Sequence, residues 1–230
     1  MPRQARVVAV GVPHHITHRG NNRQDVFLSD EDRRRYQNLI RLQLQPCGVV
    51  LLGWCWMTNH VHLIAIPQRS DSFARLVQRV HGEYAQEFNR RYARSGHLWQ
   101  SRFLSCALGA DHALVALAYV DCNPLRAGMV GRAEAYPWSS AEAHLGGSDE
   151  AGLLEWGALR KLRGWENWRE QVESPPTVET VERLRLSTRT GVPFGSKQFV
   201  AELGRKFGRN LEPRKRGGQP KRLSSAASVG

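Results

Sequence analysis

Two histidines separated by one residue, His60 and His62, lie in the apolar run HVHLIAI. On a strand the side-chain period of two sends both imidazoles to the same face, where they can chelate one divalent metal. The pair also fits two core or edge histidines, because HxH alone is a weak motif. Buried neutral imidazoles need partners, though, and a single metal satisfies both. Tyr119 and Asn123 stand four apart in YVDCNP. Helical spacing sets them about a turn apart on one face, so an amide oxygen lies beside a phenol. That offers a nucleophile and a third metal ligand, and it fits equally a core tyrosine with a rim hydroxyl and an asparagine that ends a helix before Pro124.

These residues must be positioned by regular elements. His14 to His18 read as a strand leading into the turn Arg19-Gly20-Asn21-Asn22-Arg23, where Gly and Asn tolerate left-handed backbone. A helix follows, with Ser29 as N-cap, Asp30, Glu31 and Asp32 in its first turn, and Gly48 near its end. VVLLGWCWM and HVHLIAI are dense in β-branched and aromatic residues and predict two strands joined at Thr58-Asn59. Phe73, Leu76, Val77, Val80, Tyr84 and Phe88 mark a long amphipathic helix, and GHLWQSRFLSCAL a fourth strand. A third helix is predicted from Asp111, a possible N-cap, to Asn123. This order predicts an α+β fold: a ferredoxin-like four-stranded antiparallel sheet with helices on one face, plus an extra C-terminal helix carrying Tyr119.

The 230 residues divide into a principal domain over 1–140, a connector over 141–190 that packs on it, and a basic tail over 191–230. Within the tail, Ser196, Phe199, Leu203 and Phe207 predict a short amphipathic helix. Arg214, Lys215, Arg216, Lys221 and Arg222 follow in a run suited to phosphate. The formal net charge of +12 favours a polyanionic partner, nucleic acid first, over an ordinary basic surface. Arg19, Asn21, Asn22, Arg23 and Arg102 can contact phosphate or bases, or serve as turn residues and a solvated edge. Cys47, Cys55, Cys106 and Cys122 show no CxxC spacing, which implies a reducing compartment. Neither a signal segment nor a membrane span is expected, so the sequence reads as cytoplasmic.

Four ordered strings, HHITHRGNNRQDVF, WMTNHVHLIAIP, GHLWQSRF and YVDCNPLRAGMV, resemble the REP-associated tyrosine transposases, a branch of the single-tyrosine HUH transposases. The similarity covers residues 12 to about 140, and TGVPFGSKQFV, LGR and PRKRG resemble the tail of longer members. It implies that His60 and His62 hold a divalent metal, with Asn123 completing the site and Tyr119 as nucleophile; mixed nitrogen and oxygen ligation suits Mg²⁺ or Mn²⁺, while imidazoles alone also accept Zn²⁺. Tyr136, beyond the helix end, is the weaker candidate. The implied activity cuts and rejoins single-stranded DNA through a 5′-phosphotyrosine beside a REP-like hairpin, in a monomer or homodimer. Three other readings stand beside it. They are a non-catalytic nucleic-acid-binding module, a zinc hydrolase with a water nucleophile, and a related replication or mobilisation nuclease. The missing RNP-like aromatic strand pattern disfavours the first.

Overall fold

The computed structural model describes residues 6–174 and 176–212. Strands β1 (His14–Arg19), β2 (Val49–Met57), β3 (His60–Pro67) and β4 (Leu104–Ala107) form one antiparallel sheet in the order β2-β3-β1-β4. Helices α1 (Asp30–Cys47) and α2 (Ser72–Arg91) connect them, giving the ferredoxin-like order expected from the sequence. Ser29 and Asp32 form a reciprocal capping box that starts α1, and Gly48, left-handed, ends it.

The sheet is buried on both faces. Ile16, Trp54, Trp56, Val61 and Leu63 pack beneath Tyr36, Leu39, Phe73 and Tyr84 of α1 and α2. Alternate residues Cys55, Met57, Ile64 and Cys106 pack on the other side with Ala113, Leu117 and Tyr119 of α3 (Ala110–Asp121). The β2–β3 register shifts between Leu51 and Gly53, a bulge that lets α3 approach β2 closely. A Cβ on Gly53 would stand 2.2 Å from Leu117 Cδ1, so only glycine admits α3 at this depth.

Beyond α3 come α4 (Asn123–Arg126), α5 (Ala141–His144), α6 (Trp156–Leu159), α7 (Trp168–Glu173), α8 (Val178–Thr190) and α9 (Lys197–Phe207). Residues 141–190 pack on the domain, with α7 against α3, and α8 against β4 and β1. The tail helix forms where its apolar spacing predicts, capped by Ser196. Its Val200 and Leu203 pack with Val7, Ala9 and Ala107. Among the described residues no helix is long and apolar enough to cross a membrane. All four cysteines are buried and free.

Three local expectations are corrected. The fourth strand is confined to Leu104–Ala107, because Ser101 adopts a left-handed φ of 54°; Arg102 therefore precedes the strand. Helix α3 is capped by Gly109, not Asp111, whose carboxylate instead meets exposed Arg163 at 3.0 Å. Pro124 opens the short helix α4 rather than only closing α3, since a first-turn proline gives up no helical hydrogen bond.

Candidate functional site

Strand β1 alternates its histidines between the two faces of the sheet, and each meets a partner from another element. On the α1–α2 face, His18 Nε2 donates to the Gln100 carbonyl at 3.3 Å, so its Nδ1 accepts from His81 Nδ1–H at 2.7 Å. His81 Nε2 then accepts from the Tyr36 hydroxyl at 2.8 Å. Every ring nitrogen in that chain is satisfied, which suits two buried neutral imidazoles stacked on Trp99.

On the α3 face the corresponding chain stays open at one end. His15 Nε2 and His62 Nδ1 lie 2.8 Å apart in stacked rings, and His15 Nδ1 lies 2.8 Å from Thr188 Oγ1 of α8. His62 Nε2 is buried and has no hydrogen-bond partner among the described residues. His60 is fixed separately: Asn59 donates its amide N–H to the Arg23 carbonyl at 3.1 Å, which turns Oδ1 toward His60 Nδ1 at 2.7 Å. His60 therefore donates from Nδ1 and keeps its Nε2 lone pair. Burial holds His60 and His15 down at about 3, with Arg19 and Arg185 adding to the effect at His60; burial also keeps His62 well below the usual range. All three are uncharged bases at neutral pH.

Tyr119 stands edge-on to both histidines of this chain, its ring centroid 5.6 Å from His62 and 5.7 Å from His15. It is buried, with two guanidiniums near its ring. Arg126 lies 4.3 Å above the ring and donates to the Tyr119 carbonyl; Arg185 of α8 reaches the phenolic oxygen with Nε at 3.4 Å. Asn123 is also buried, its Oδ1 3.4 Å from Arg126 and its Nδ2 without a partner among the described residues. Tyr136, the weaker candidate, donates its hydroxyl to the Trp56 carbonyl at 2.9 Å, and burial pushes it up to about 12. It is tied into the core.

A divalent cation fits these groups. Among the described residues no three His, Cys, Asp or Glu side chains form a metal cluster, so a cation would rest on two imidazoles and an uncharged amide. The orphaned His62 Nε2 is the observation that supports it, since a buried polar nitrogen left unpaired costs about 1–3 kcal/mol. Arg19, Arg126 and Arg185 all bear on the titration of the two histidines, which makes the pocket attractive to anions.

The structure brings His60, His62, Tyr119 and Arg19 to one face, while Asn123 stands beside Arg126 at the start of α4. Arg19 is half-buried opposite His60 in the β1–β3 register. The turn beyond it is tied down: Gly20 donates to the Asn59 carbonyl, and Asn22 and Arg23 hold left-handed φ angles of 49° and 60°. A Cβ on Gly20 would lie 2.2 Å from the Gln24 carbonyl oxygen, so the tight turn needs glycine. Asn22 and Arg23 are exposed beside the site and Asn21 is half-buried; exposed Arg102 lies in the segment before β4. Arg214, Lys215, Arg216, Lys221 and Arg222 fall outside the described residues. Sequence reasoning missed His15, Arg126, Arg185 and Thr188. His15 and Arg126 stand inside the strings HHITHRG and NPLRAG, whereas Arg185 and Thr188 carry no motif.

Residues 10–123, just under half of the chain, match the family described as IS200-like transposases. The fold agrees. A solved structure described as a REP-associated tyrosine transposase bound to a REP hairpin superposes with a TM-score of 0.53 at 19% identity, over 63% of this chain and 86% of that one. A Deinococcus radiodurans R1 protein provisionally assigned as a transposase is 17% identical over 56% of this chain and 98% of that one, with a TM-score of 0.37. No curated protein matches significantly.

Proposed function

We propose that this chain is a metal-dependent transposase of the REP-associated type, which nicks and rejoins single-stranded DNA with Tyr119 as nucleophile. The observation that carries the reading is the placement of the Tyr119 ring edge-on to His62, with Arg185 at its hydroxyl. His60 and His62, through their Nε2 atoms, and Asn123, through its amide oxygen, would hold the cation. Bound there, Mg²⁺ or Mn²⁺ supplies Lewis-acid polarisation of a scissile phosphate oxygen.

The chain's own residues do the rest. Arg185 and Arg126 stabilise negative charge on the phenolic oxygen and on the phosphoryl group it attacks. In-line displacement by Tyr119 releases a 3′-oxygen and leaves the 5′-phosphate esterified to the protein. The phosphodiester bond is exchanged rather than hydrolysed, so a second 3′-hydroxyl can reverse the step and join strands without a nucleotide cofactor. Arg19, Asn21, Asn22 and Arg23 border the site where flanking DNA would run, and Arg102 and the basic tail would add phosphate contacts. Single-stranded DNA beside a palindromic hairpin is the substrate class, because a duplex backbone is too constrained to enter a buried tyrosine site. The described partner of the structural relative, a REP hairpin, supports the same class.

The test is incubation with Mg²⁺ and hairpin oligonucleotides bearing single-stranded flanks. A denaturation-resistant protein–DNA adduct mapped to Tyr119, lost in Tyr119→Phe while DNA binding persists, is the expected result. Cleavage retained by Tyr119→Phe with no adduct would mean a water nucleophile. Binding without cleavage under any divalent metal would return the chain to a binding module.

A further inference from the structure

Thr188 has one hydroxyl proton and three polar neighbours. The Leu184 carbonyl, one helical turn earlier, lies 2.9 Å from Oγ1 and can only accept. His15 Nδ1 lies at 2.8 Å and the Cys106 sulfur at 3.4 Å. One assignment satisfies all three. The hydroxyl donates to Leu184, and its oxygen accepts from His15 Nδ1–H and from the Cys106 thiol. His15, protonated on Nδ1, then has a free lone pair on Nε2. Across 2.8 Å it must accept from His62 Nδ1–H, which leaves the His62 lone pair on Nε2. The order of donors thus runs from His62 to His15 to Thr188 to the backbone of α8. Thr188 is buried, and α8 lies wholly outside residues 10–123.

We propose that Thr188, acting through His15, is a positioning residue that locks His62 in its Nδ1–H tautomer and so keeps Nε2 open as a ligand atom. The inference rests on the metal reading above and deepens it: the connector helix α8 is part of the active centre, not packing alone. Without the threonine oxygen, His15 Nδ1 has no acceptor. The favourable response is to move its proton to Nε2, which turns the neighbouring nitrogen of His62 into an acceptor and puts a proton on the atom that should bind metal. Such supporting hydrogen bonds to a ligating histidine are commonly worth ~10- to 100-fold in metal affinity.

The test uses the full chain. Long-range ¹H–¹⁵N spectra of the metal-free protein report the tautomer of each histidine ring, with His62 signals assigned by their loss in His62→Gln. His62 should be protonated on Nδ1 in the unaltered chain and shift toward Nε2–H in Thr188→Val. Mn²⁺ titration should show about 10-fold weaker binding or worse in Thr188→Val, and recovery in Thr188→Ser. Cys106→Ala disturbs packing at the same oxygen without interrupting the donor chain and should leave both readouts unchanged. His62 found as Nε2–H in the unaltered chain overturns the inference outright, even if no Thr188 variant folds. Unchanged Mn²⁺ affinity in folded Thr188→Val also overturns it, as does an equal loss in Cys106→Ala. A failure of the nucleophile reading appears separately, as a missing adduct with the tautomer intact.

Discussion

His144 Nδ1 hydrogen-bonds the Asp121 carboxylate at 2.7 Å, and both side chains are completely shielded from solvent. His144 also donates from Nε2 to the Leu52 carbonyl of β2 at 2.9 Å, while Ser140 donates to the second Asp121 oxygen at 2.8 Å. Asp121 lies two residues after Tyr119 and two before Asn123, so this network pins the end of α3 to the sheet. Trp156, Trp165 and Trp168 surround the imidazole edge-on and keep water out. Removing one partner strands the other. His144→Leu should cost on the order of 3–5 kcal/mol, read as a lower urea midpoint at neutral pH. An unchanged midpoint would show that the pair adds nothing to the anchoring of α3.

Arg185 exerts two opposite electrostatic effects. Its guanidinium faces the Tyr119 oxygen, where negative charge would gather during the proposed attack, and it also disfavours positive charge at His60. Arg185→Ala should therefore slow adduct formation by roughly 100-fold, the usual scale for one lost transition-state donor. In the absence of DNA the same variant should bind Mn²⁺ more tightly, because a repelling cation has gone. Single-turnover cleavage and Mn²⁺ titration measure the two halves. Parallel losses in both would mean that Arg185 only supports the local fold.

The sheet was legible because its strands obey local rules. The β-branched runs at 49–57 and 60–66, the Ser29 cap and the apolar stripe of α2 each state their element without reference to the rest of the chain. The truncation of the fourth strand was not legible, since Leu98, Trp99 and Phe103 have strand-like side chains and only the backbone of Ser101 reveals the break. The site divides in the same way. His60, His62, Tyr119 and Asn123 stand in short-range spacings that geometry interprets directly. His15 and Thr188 are 173 positions apart, and nothing but the packing of α8 on β1 and β4 brings them together. The open end at His62 became visible only beside the closed chain of His18, His81 and Tyr36 on the opposite face.

Buried neutral histidines make the fold sensitive to acid. Burial holds His14 and His18 at about 4 in the folded protein, whereas the unfolded chain titrates such groups near the ordinary value of 6.5. Between those values the unfolded state binds more protons, so their stabilising contribution is complete above about 6.5 and is lost as pH falls toward 4. Each such histidine contributes a slope approaching ~1.4 kcal/mol per pH unit in that window. Urea unfolding at pH 7, 6 and 5 should show a steadily falling midpoint before most carboxylates begin to titrate. A flat midpoint from pH 7 to 5 would mean that these rings are solvated or already charged in the fold.

The basic run from Arg214 to Arg222 can be separated from the proposed catalytic centre by its salt response. Arg214, Lys215, Arg216, Lys221 and Arg222 would contact the backbone as point charges, and each phosphate neutralised on a single strand contributes ~0.7 to the slope of log affinity against log salt. Removing residues 213–230 should flatten that slope by up to about 3.5 if all five cations engage a strand, and should weaken binding to related and unrelated oligonucleotides alike. Adduct formation at saturating DNA should stay close to that of the full chain, because Tyr119, His60 and His62 are held by elements that end before residue 213. Fluorescence anisotropy over a salt series measures the slope, and denaturing gels measure the adduct. A slope unchanged by the deletion would remove the tail from the interface; a loss of binding confined to one hairpin sequence would make it a reader of bases rather than a tether to phosphate.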